Sequence, residues 1–220
     1  MNVSEALKKR KAVRAYTEQT VDQALLEQIL SSAGHAPSGV NTQPWKVAVL
    51  TGEKKQLLEE KLLQAFAARQ EKKMDYQYYP LDWQEPYKAR RKDCGLKMYS
   101  ALEITREDKK RQIEQWAANY RAFDAPVMLL FYMDAGLQTG SYLDYGMFLQ
   151  SIMLVATEQG LATCPQASLA EYPAIVKDFL NLPADCQLIC GMALGYEDVD
   201  AAVNSYRIER ADISEFVTFV

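Results

Sequence analysis

The segment Val127–Met133, with the sequence VMLLFYM, constrains the fold of this chain most strongly, because it is a nearly unbroken apolar run. A strand with one face in water alternates apolar and polar residues, so an unbroken apolar run predicts a strand that is buried on both faces. Gln187–Leu194 predicts a second buried strand. A sheet of this kind needs helices as cover.

Helical patterns occupy much of the remaining chain. A capping box at Asn2–Glu5 predicts a short helix to about Lys9, and a second box at Thr20–Gln23 predicts the next helix start. The predicted longer helices are Val21–Ala33, Glu53–Ala68, Tyr87–Leu102, Arg106–Tyr120 (capped by Thr105), Ser141–Glu158 and Glu171–Leu180. The helix over 141–158 is apolar almost all round, which predicts a buried central helix.

The strand and helix patterns together predict one domain, residues 1–220, of the α+β class with helices around a small mixed sheet. Lys46–Leu50 and Leu161–Pro165 predict two shorter strands. The last five residues, Phe216–Val220, predict a strand that has no hairpin partner. Because a strand needs a sheet to join, its partner could belong to a second subunit. A tail packed on its own subunit is the alternative.

Charge and cysteine content exclude several classes of protein. The net charge is −4 and the pI about 5.2, which disfavours nucleic-acid binding driven by overall charge. No apolar run is long enough to span a bilayer, and no signal-peptide pattern is present, so we expect a cytoplasmic protein without a membrane anchor. The four cysteines and one histidine match no zinc pattern, which favours reduced thiols and no metal site.

Catalysis by protein side chains has little support in the sequence. His35 is the only histidine, and no nucleophile elbow or cysteine-protease signature accompanies it. Neither the dinucleotide fingerprint nor the phosphate-binding P-loop pattern occurs. These absences leave open a bound organic cofactor that carries the reaction.

Three polar clusters lie far apart in the chain. Arg10 and Arg14 follow the first short helix, and Arg207 and Arg210 lie near the end. Arginines from the two chain ends could meet to hold a phosphate, although a solvated charged face is the commoner outcome. The third cluster is the loop Pro37–Trp45, PSGVNTQPW, whose prolines and Gly39 predict a sharply shaped backbone. Such a loop could also simply turn a corner.

Five stretches in order along the chain resemble the FMN-dependent nitroreductase family, and in particular its nitrobenzoate-reductase-like branch. They are KKRKAVRAY (8–16), APSGVNTQPW (36–45), GLATCPQAS (160–168), GMALGY (191–196) and NSYRIERADISEFV (204–217). The resemblance covers nearly the whole chain. It implies the nitroreductase-like fold, in which the C-terminal strand is exchanged with the partner subunit.

The resemblance also implies which residues bind FMN. Arg10 and Arg207 would bind the phosphate with Ser205 nearby, and Arg14 would reach the pyrimidine end of the flavin. The other implied contacts are Lys11 and Ala12 on the cofactor, Pro37, Ser38, Gly39 and Asn41 on the FMN of the partner subunit, and Pro165, Gln166, Ala167 and Ser168 along the isoalloxazine ring. Many relatives have serine in place of Ala12 and a basic residue in place of Ser205. Arg210 or Lys11 could compensate for the second change.

The aromatic segment between Met74 and Tyr120 is a candidate acceptor site. Glu71–Glu85 predicts a long ordered loop, and such loops are often lids or binding loops. Tyr78, Tyr79, Trp83, Tyr87, Arg90 and Arg91 are expected to cover the flavin in part and to offer an arginine to an acidic substrate such as a nitrobenzoate. A helix with solvated arginines is the alternative.

The resemblance implies a homodimer with FMN sites at the subunit interface. It implies that NAD(P)H reduces nitroaromatic or quinone acceptors by a ping-pong two-electron mechanism, in which the flavin N5 carries the chemistry and no side chain is catalytic. Another FMN reaction, such as reduction of an activated C=C bond or a dehydrogenation, is one alternative. A non-catalytic flavin-binding protein is the other.

Overall fold

A computed structural model describes all residues of the chain, Met1–Val220. Its centre is a four-stranded sheet with the order β1-β2-β4-β3. The strands are β1 (Lys46–Thr51), β2 (Val127–Asp134), β3 (Ala162–Gln166) and β4 (Cys186–Gly195). All neighbouring strands pair antiparallel, and the one parallel contact is an isolated bridge between Ala12 and Thr163. The predicted mixed sheet is therefore wrong for the four strands.

Seven α-helices surround the sheet. They are α1 (Val3–Lys9), α2 (Gln23–Ala33), α3 (Gly52–Ala67), α4 (Tyr87–Ala101), α5 (Lys109–Ala117), α6 (Thr139–Glu158) and α7 (Pro173–Leu180). No helix among them has the length and apolar character that crossing a membrane requires.

Helix starts follow the local capping chemistry. The capping box of Asn2 and Glu5 is formed, as predicted. The start of α2 was predicted wrongly, because Asp22 rather than Thr20 is its N-cap and accepts a hydrogen bond from Ala24. The start of α5 is also later than predicted, because Thr105 bonds to the Asp108 carboxylate and does not cap a helix itself.

The buried strand β2 separates two hydrophobic cores. Its alternate residues Val127, Leu129, Phe131 and Met133 face a core that includes α2 and α6. Met128 and Leu130 face the opposite core, which includes Leu58 and Leu62 of α3 and Val176 of α7. The prediction of a strand buried on both faces is thus confirmed, and the alternation of strand side chains is its physical reason.

Two predicted apolar elements are less buried than expected. The inward face of α6 packs into the core through Tyr145, Phe148 and Ile152, but its outward residues Leu143 and Met147 are 73% and 39% exposed. The prediction of a helix buried all round is therefore wrong for the single chain. The predicted strand over 216–220 is also absent, since these residues have no regular structure and meet no strand edge.

Candidate functional site

The two ends of the chain meet beside β3. The segment after α1 pairs with β3 at Ala12, and the N–H of Val13 donates to the carbonyl of Thr163 at 3.1 Å. The buried side chain of Asn204 ties the C-terminal segment to the same place, because its Oδ1 accepts a hydrogen bond from the N–H of Arg14 at 2.9 Å. Its Nδ2 donates to the carbonyl of Ala15 at 2.9 Å. The sequence hypothesis that the chain ends meet is consistent with this arrangement.

Three arginines converge at this junction. Burial lowers the pKa of Arg10, and the charges of Arg210 and Arg207 lower it further. The Nε of Arg10 is buried and has no hydrogen-bond partner. None of the three forms a salt bridge with a carboxylate. A half-buried guanidinium with an unused buried donor, repelled by two like charges, fits an anionic group such as the phosphate of FMN.

Arg207 also has a structural contact. Its guanidinium donates hydrogen bonds to the carbonyls of Lys8 at 2.8 Å and Lys9 at 2.5 Å, at the C-terminal end of α1. A cation at this end of a helix satisfies free carbonyls and interacts favourably with the helix dipole. Because guanidinium has five N–H donors, Nε and part of the amino groups remain for a phosphate.

Lys11 and Arg210, the two residues that could compensate for the missing basic residue at position 205, differ in whether their charge is already paired. The ammonium of Lys11 is 2.6 Å from the carboxylate of Glu197 and donates to the carbonyl of Asn204. Its charge is therefore already paired in the single chain, which makes Lys11 the weaker candidate to compensate for Ser205. The hydroxyl of Ser205 donates to the carbonyl of Ala202 at 2.7 Å. Arg210 is the remaining candidate, since its charge acts on Arg10.

The turn at the end of β3 contains Pro165, Gln166, Ala167 and Ser168. Strand alternation exposes Pro165 and buries Gln166, which is 4% exposed. The amide of Gln166 donates to the carbonyl of Asn119 at 2.9 Å, and the hydroxyl of Ser168 lies 3.5 Å from the side-chain oxygen of Asn119. The Gln166 side chain therefore supports the turn from inside and does not line its outer surface.

Arg14 lies beside this turn with an unneutralised charge. Its guanidinium donates to the hydroxyl of Tyr206 at 3.1 Å and lies 6.0 Å from the ring centroid of Phe123. Phe123 belongs to a left-handed turn in which Ala122, Phe123 and Asp124 have φ values of 48°, 55° and 60°. No carboxylate pairs with Arg14, so its positive charge is available to a ligand.

The sequence did not indicate all of these supporting residues. Asn204 and Tyr206 lie inside the motif NSYR, in which the resemblance implies roles for the arginine and the serine alone. No sequence pattern indicates that Asn119 or Phe123 belongs to the site. Phe123 is placed by a left-handed backbone, which residues other than glycine rarely adopt, so its position could not be predicted from the sequence.

The loop after α2 has a left-handed backbone at three residues, but not at Gly39, where the sequence predicts it. Val40, Asn41 and Gln43 have φ values of 43°, 60° and 49°, whereas Gly39 is not left-handed. A methyl group added at Gly39 would meet no atom of the chain. The prediction that Gly39 provides the special conformation is wrong. Val40 is fully exposed, so the loop presents an apolar side chain to its surroundings.

The candidate acceptor residues on α4 are exposed and chemically distinct. The guanidinium of Arg90 is 2.9 Å from the carboxylate of Glu215, whereas that of Arg91 lies 5.1 Å from the ring centroid of Trp83 and pairs with no carboxylate. Tyr87 is 60% exposed. Neither α4 nor α5 buries a residue, so both helices lack cover in the single chain.

The long loop before α4 is anchored along its first half. The ammonium of Lys72 is 2.8 Å from the carboxylate of Glu171 and lies between 5.2 and 5.9 Å from the centroids of three aromatic rings. Asp75 accepts a hydrogen bond from a main-chain N–H of β4, and Tyr76 donates to a β4 carbonyl. These contacts attach the loop to the rest of the fold as far as Tyr76.

Comparison with known proteins identifies relatives along almost the whole chain. Residues 7–196 match the model of the nitroreductase family. The chain is 39% identical to a 4-nitrobenzoate reductase of Pseudomonas putida over 211 residues, which cover 96% of this chain and 92% of the relative. It is 36% identical to a chloronitrobenzene nitroreductase of Comamonas testosteroni, with 99% of this chain and 96% of the relative covered.

Solved structures agree with the fold. The FMN and NADPH-dependent nitroreductase NfnB from Sphigopyxis sp. strain HMH superposes with a TM-score of 0.96 at 39% identity, covering 100% of this chain and 99% of its own. The FMN-dependent NfnB of Mycobacterium smegmatis, solved in complex with NADPH, gives a TM-score of 0.93 at 33% identity with both chains fully covered.

Proposed function

Because this chain belongs to the nitroreductase family, we propose that it is an FMN-dependent oxidoreductase that uses NADPH to reduce nitroaromatic compounds. The relatives that cover nearly its full length are described as reductases of nitrobenzoate and chloronitrobenzene. Quinones are a second class of acceptor. The four cysteines are all unpaired, which supports a reducing compartment such as the cytoplasm.

The observation that carries this proposal is the environment of Arg10. A guanidinium whose Nε is buried without a partner, beside two further arginines and no carboxylate, is a site built for an anion. Arg10, Arg207 and Arg210 would bind the FMN phosphate. Ala12 would contact the cofactor through its backbone.

The remaining residues of the site would orient the ring system. Bound FMN supplies two-electron transfer between NADPH and the acceptor. Arg14 would place a positive charge at the pyrimidine end of the flavin, and its contacts with Tyr206 and Phe123 would hold its guanidinium in place. Pro165, Ala167 and Ser168 present the outer surface of the β3 turn, while Gln166 and Asn119 keep that turn in position from inside.

We propose further that the protein is a homodimer with FMN sites at the subunit interface. Several apolar surfaces lack cover in the single chain: the face of α6 with Leu143 and Met147, the tip of the loop at Val40, and the tail with Phe216 and Phe219. Covering such surfaces releases water and favours association. The Pro37–Asn41 loop of one subunit would then meet the FMN of the other, with the tail strand completed by its partner.

The acceptor site is proposed to include Tyr87 and Arg91. Arg90 is already paired with Glu215, so Arg91 is the arginine free to bind a carboxylate. Salt bridges join α4 to the C-terminal segment, from Arg90 to Glu215 at 2.9 Å and from Lys97 to Glu209 at 3.7 Å. The same segment carries Tyr206, whose hydroxyl contacts Arg14, and this supports a position of α4 beside the site. A carboxylated nitroaromatic is the substrate class that fits this charge.

The absorbance of purified protein tests the proposal. We expect a yellow protein whose visible flavin absorbance is lost on addition of NADPH and returns on addition of 4-nitrobenzoate. An Arg10→Ala variant, purified in parallel, should carry less flavin. Protein that neither carries nor takes up FMN would contradict the proposal. Bound FMN that does not respond to NADPH would favour a different flavin reaction, such as reduction or formation of an activated C=C bond.

A further inference from the structure

A buried carboxylate of α6 holds the loop that follows α2. Oδ1 of Asp144 accepts a hydrogen bond from the N–H of Gly39 at 3.1 Å. Asp144 is 7% exposed and forms no salt bridge. A buried carboxylate without a cation is unfavourable, and an apolar residue would pack this position at lower cost. The hydrogen bond to Gly39 therefore explains why a carboxylate occupies this position.

The loop needs a tether because its backbone is strained. Val40, Asn41 and Gln43 are left-handed, a conformation that crowds the Cβ atom and is least favourable for a β-branched residue such as Val40. Bonds inside the loop support this shape, including that from the Gln43 N–H to the Ser38 hydroxyl at 2.9 Å. Those bonds are exposed and compete with water, whereas the bond to Asp144 is partly buried.

The neighbouring residue of α6 holds the other end of the same segment. The hydroxyl of Tyr145 accepts a hydrogen bond from the N–H of Lys46 at 2.9 Å and donates to the carbonyl of Tyr132 at 2.5 Å. Asp144 therefore contacts the strained loop, while Tyr145 contacts the start of β1. Substitutions at these two adjacent residues can therefore be compared. A change at Asp144 should affect the loop, whereas a change at Tyr145 should affect the stability of the fold.

We propose that Asp144 is a positioning residue for FMN binding, which acts by holding the Pro37–Gln43 loop in its strained shape. This inference rests on the proposed function, in which the loop of one subunit meets the FMN of the other. Leu143, the residue before the buried Asp144, and Met147, about one turn further on, lie on the exposed face of α6. The exposed face of α6 could therefore pack against a second subunit. Through Asp144, the same helix holds the Pro37–Gln43 loop, which would contact the FMN of that subunit.

Three variants of the full-length protein test the role of Asp144. Asp144→Leu keeps the branched side-chain shape but has no acceptor, Asp144→Asn keeps a side-chain oxygen, and Tyr145→Phe removes the hydroxyl that contacts the start of β1. The measurements are the FMN dissociation constant by fluorescence titration, the thermal midpoint, and hydrogen exchange of the peptide covering 36–45. We expect Asp144→Leu to raise the dissociation constant at least tenfold and to speed exchange in this peptide.

The controls decide between positioning and general stability. Asp144→Asn should bind FMN within about threefold of the parent, and Tyr145→Phe should lower the thermal midpoint but leave FMN binding within the same range. FMN binding by Asp144→Leu at parental affinity would overturn the inference, as would equal weakening by Tyr145→Phe. A parent protein that binds no FMN would instead contradict the proposed function, while hydrogen exchange would still decide whether Asp144 holds the loop.

Discussion

The guanidinium of Arg207 donates a hydrogen bond to the main-chain carbonyl of Lys8 at 2.8 Å, although 199 positions separate the two residues. This contact joins the C-terminal segment to the end of α1 and brings Arg207 next to Arg10. The same guanidinium group thus supports the fold and, in the proposed function, would also bind the phosphate. Its two roles can be separated by experiment.

Arg10→Ala should weaken FMN binding roughly ten- to a hundredfold, because a hydrogen bond to a charged group contributes about 1.5–3 kcal/mol. Riboflavin, which lacks the phosphate, should bind the variant and the parent alike. Arg207→Ala should weaken FMN binding and also lower the thermal midpoint, since it leaves α1 without its C-terminal donor. Fluorescence titrations with both flavins measure the effects.

Arg111→Ala is the matched control, because Arg111 donates to the carbonyls of Leu102 and Glu103 at the end of α4 in the same manner. It should destabilise the fold without selective loss of FMN. Equal losses of riboflavin and FMN affinity in Arg10→Ala would show that Arg10 does not bind the phosphate.

Asn204→Ala should lower the free energy of unfolding by about 3 kcal/mol. The substitution leaves the N–H of Arg14 without an acceptor, and a buried unsatisfied group costs roughly 1–3 kcal/mol. It also removes two hydrogen bonds to the carbonyls of Ala15 and Asp198, which keep their main-chain donors, and each of these contributes about 1 kcal/mol. Urea denaturation measures the change. Ser205→Ala, at an adjacent exposed side chain, should cost less than about 0.5 kcal/mol. Similar values for the two variants would refute the structural role of Asn204.

Deletion of Phe216–Val220 should weaken both dimerisation and FMN retention. These residues expose apolar side chains in the single chain, with Phe219 88% exposed, and would be covered only by a second subunit. Sedimentation velocity and flavin absorbance measure the two properties. Val199→Ser, which removes another exposed apolar side chain, should change neither. A truncated protein that remains a yellow dimer would rule out this role for the tail.

Arg91→Ala should raise KM for 4-nitrobenzoate roughly two- to fivefold and leave KM for nitrobenzene unchanged, because an exposed ion pair contributes up to about 1 kcal/mol. Arg90→Ala should have a smaller effect, since Glu215 already neutralises Arg90. Steady-state kinetics with both acceptors give the comparison. Equal changes for the charged and the uncharged acceptor would contradict carboxylate binding by Arg91.

Alkaline pH should destabilise the fold partly through Cys164. Burial raises the pKa of the Cys164 thiol to about 11 from an ordinary value of 9.0, so the folded state holds this proton more tightly than the unfolded state. The associated stability is fully present below about pH 9 and is lost as the pH rises towards about 11. Cys164→Ala should therefore lose less stability than the parent between pH 8 and about 10.5.

Denaturant unfolding at the two pH values measures this difference. Cys94→Ala, which removes a partly exposed thiol, is the control for the substitution itself. An identical loss of stability in the parent and in Cys164→Ala would show that Cys164 does not contribute.

Local patterns were sufficient to predict most helices and strands. The apolar run of β2 and the capping box of α1 are properties of neighbouring residues, so they can be recognised without the fold. The tail strand could not be decided in this way, because a strand forms only where a free sheet edge is available. The burial of α6 could not be decided from the sequence either, because its apolar outer face is exposed in the single chain and could be covered only by another subunit.

The sequence by itself determined the fold class and the position of the motifs that resemble flavin-binding nitroreductases. Only the tertiary structure decided how Arg10, Arg14, Arg207 and Asn204 converge, and that Lys11 is neutralised by Glu197. It also placed the left-handed backbone on Val40 and Phe123 rather than on a glycine. Such conformations are unfavourable locally and persist because distant contacts, such as that of Asp144 with Gly39, stabilise them.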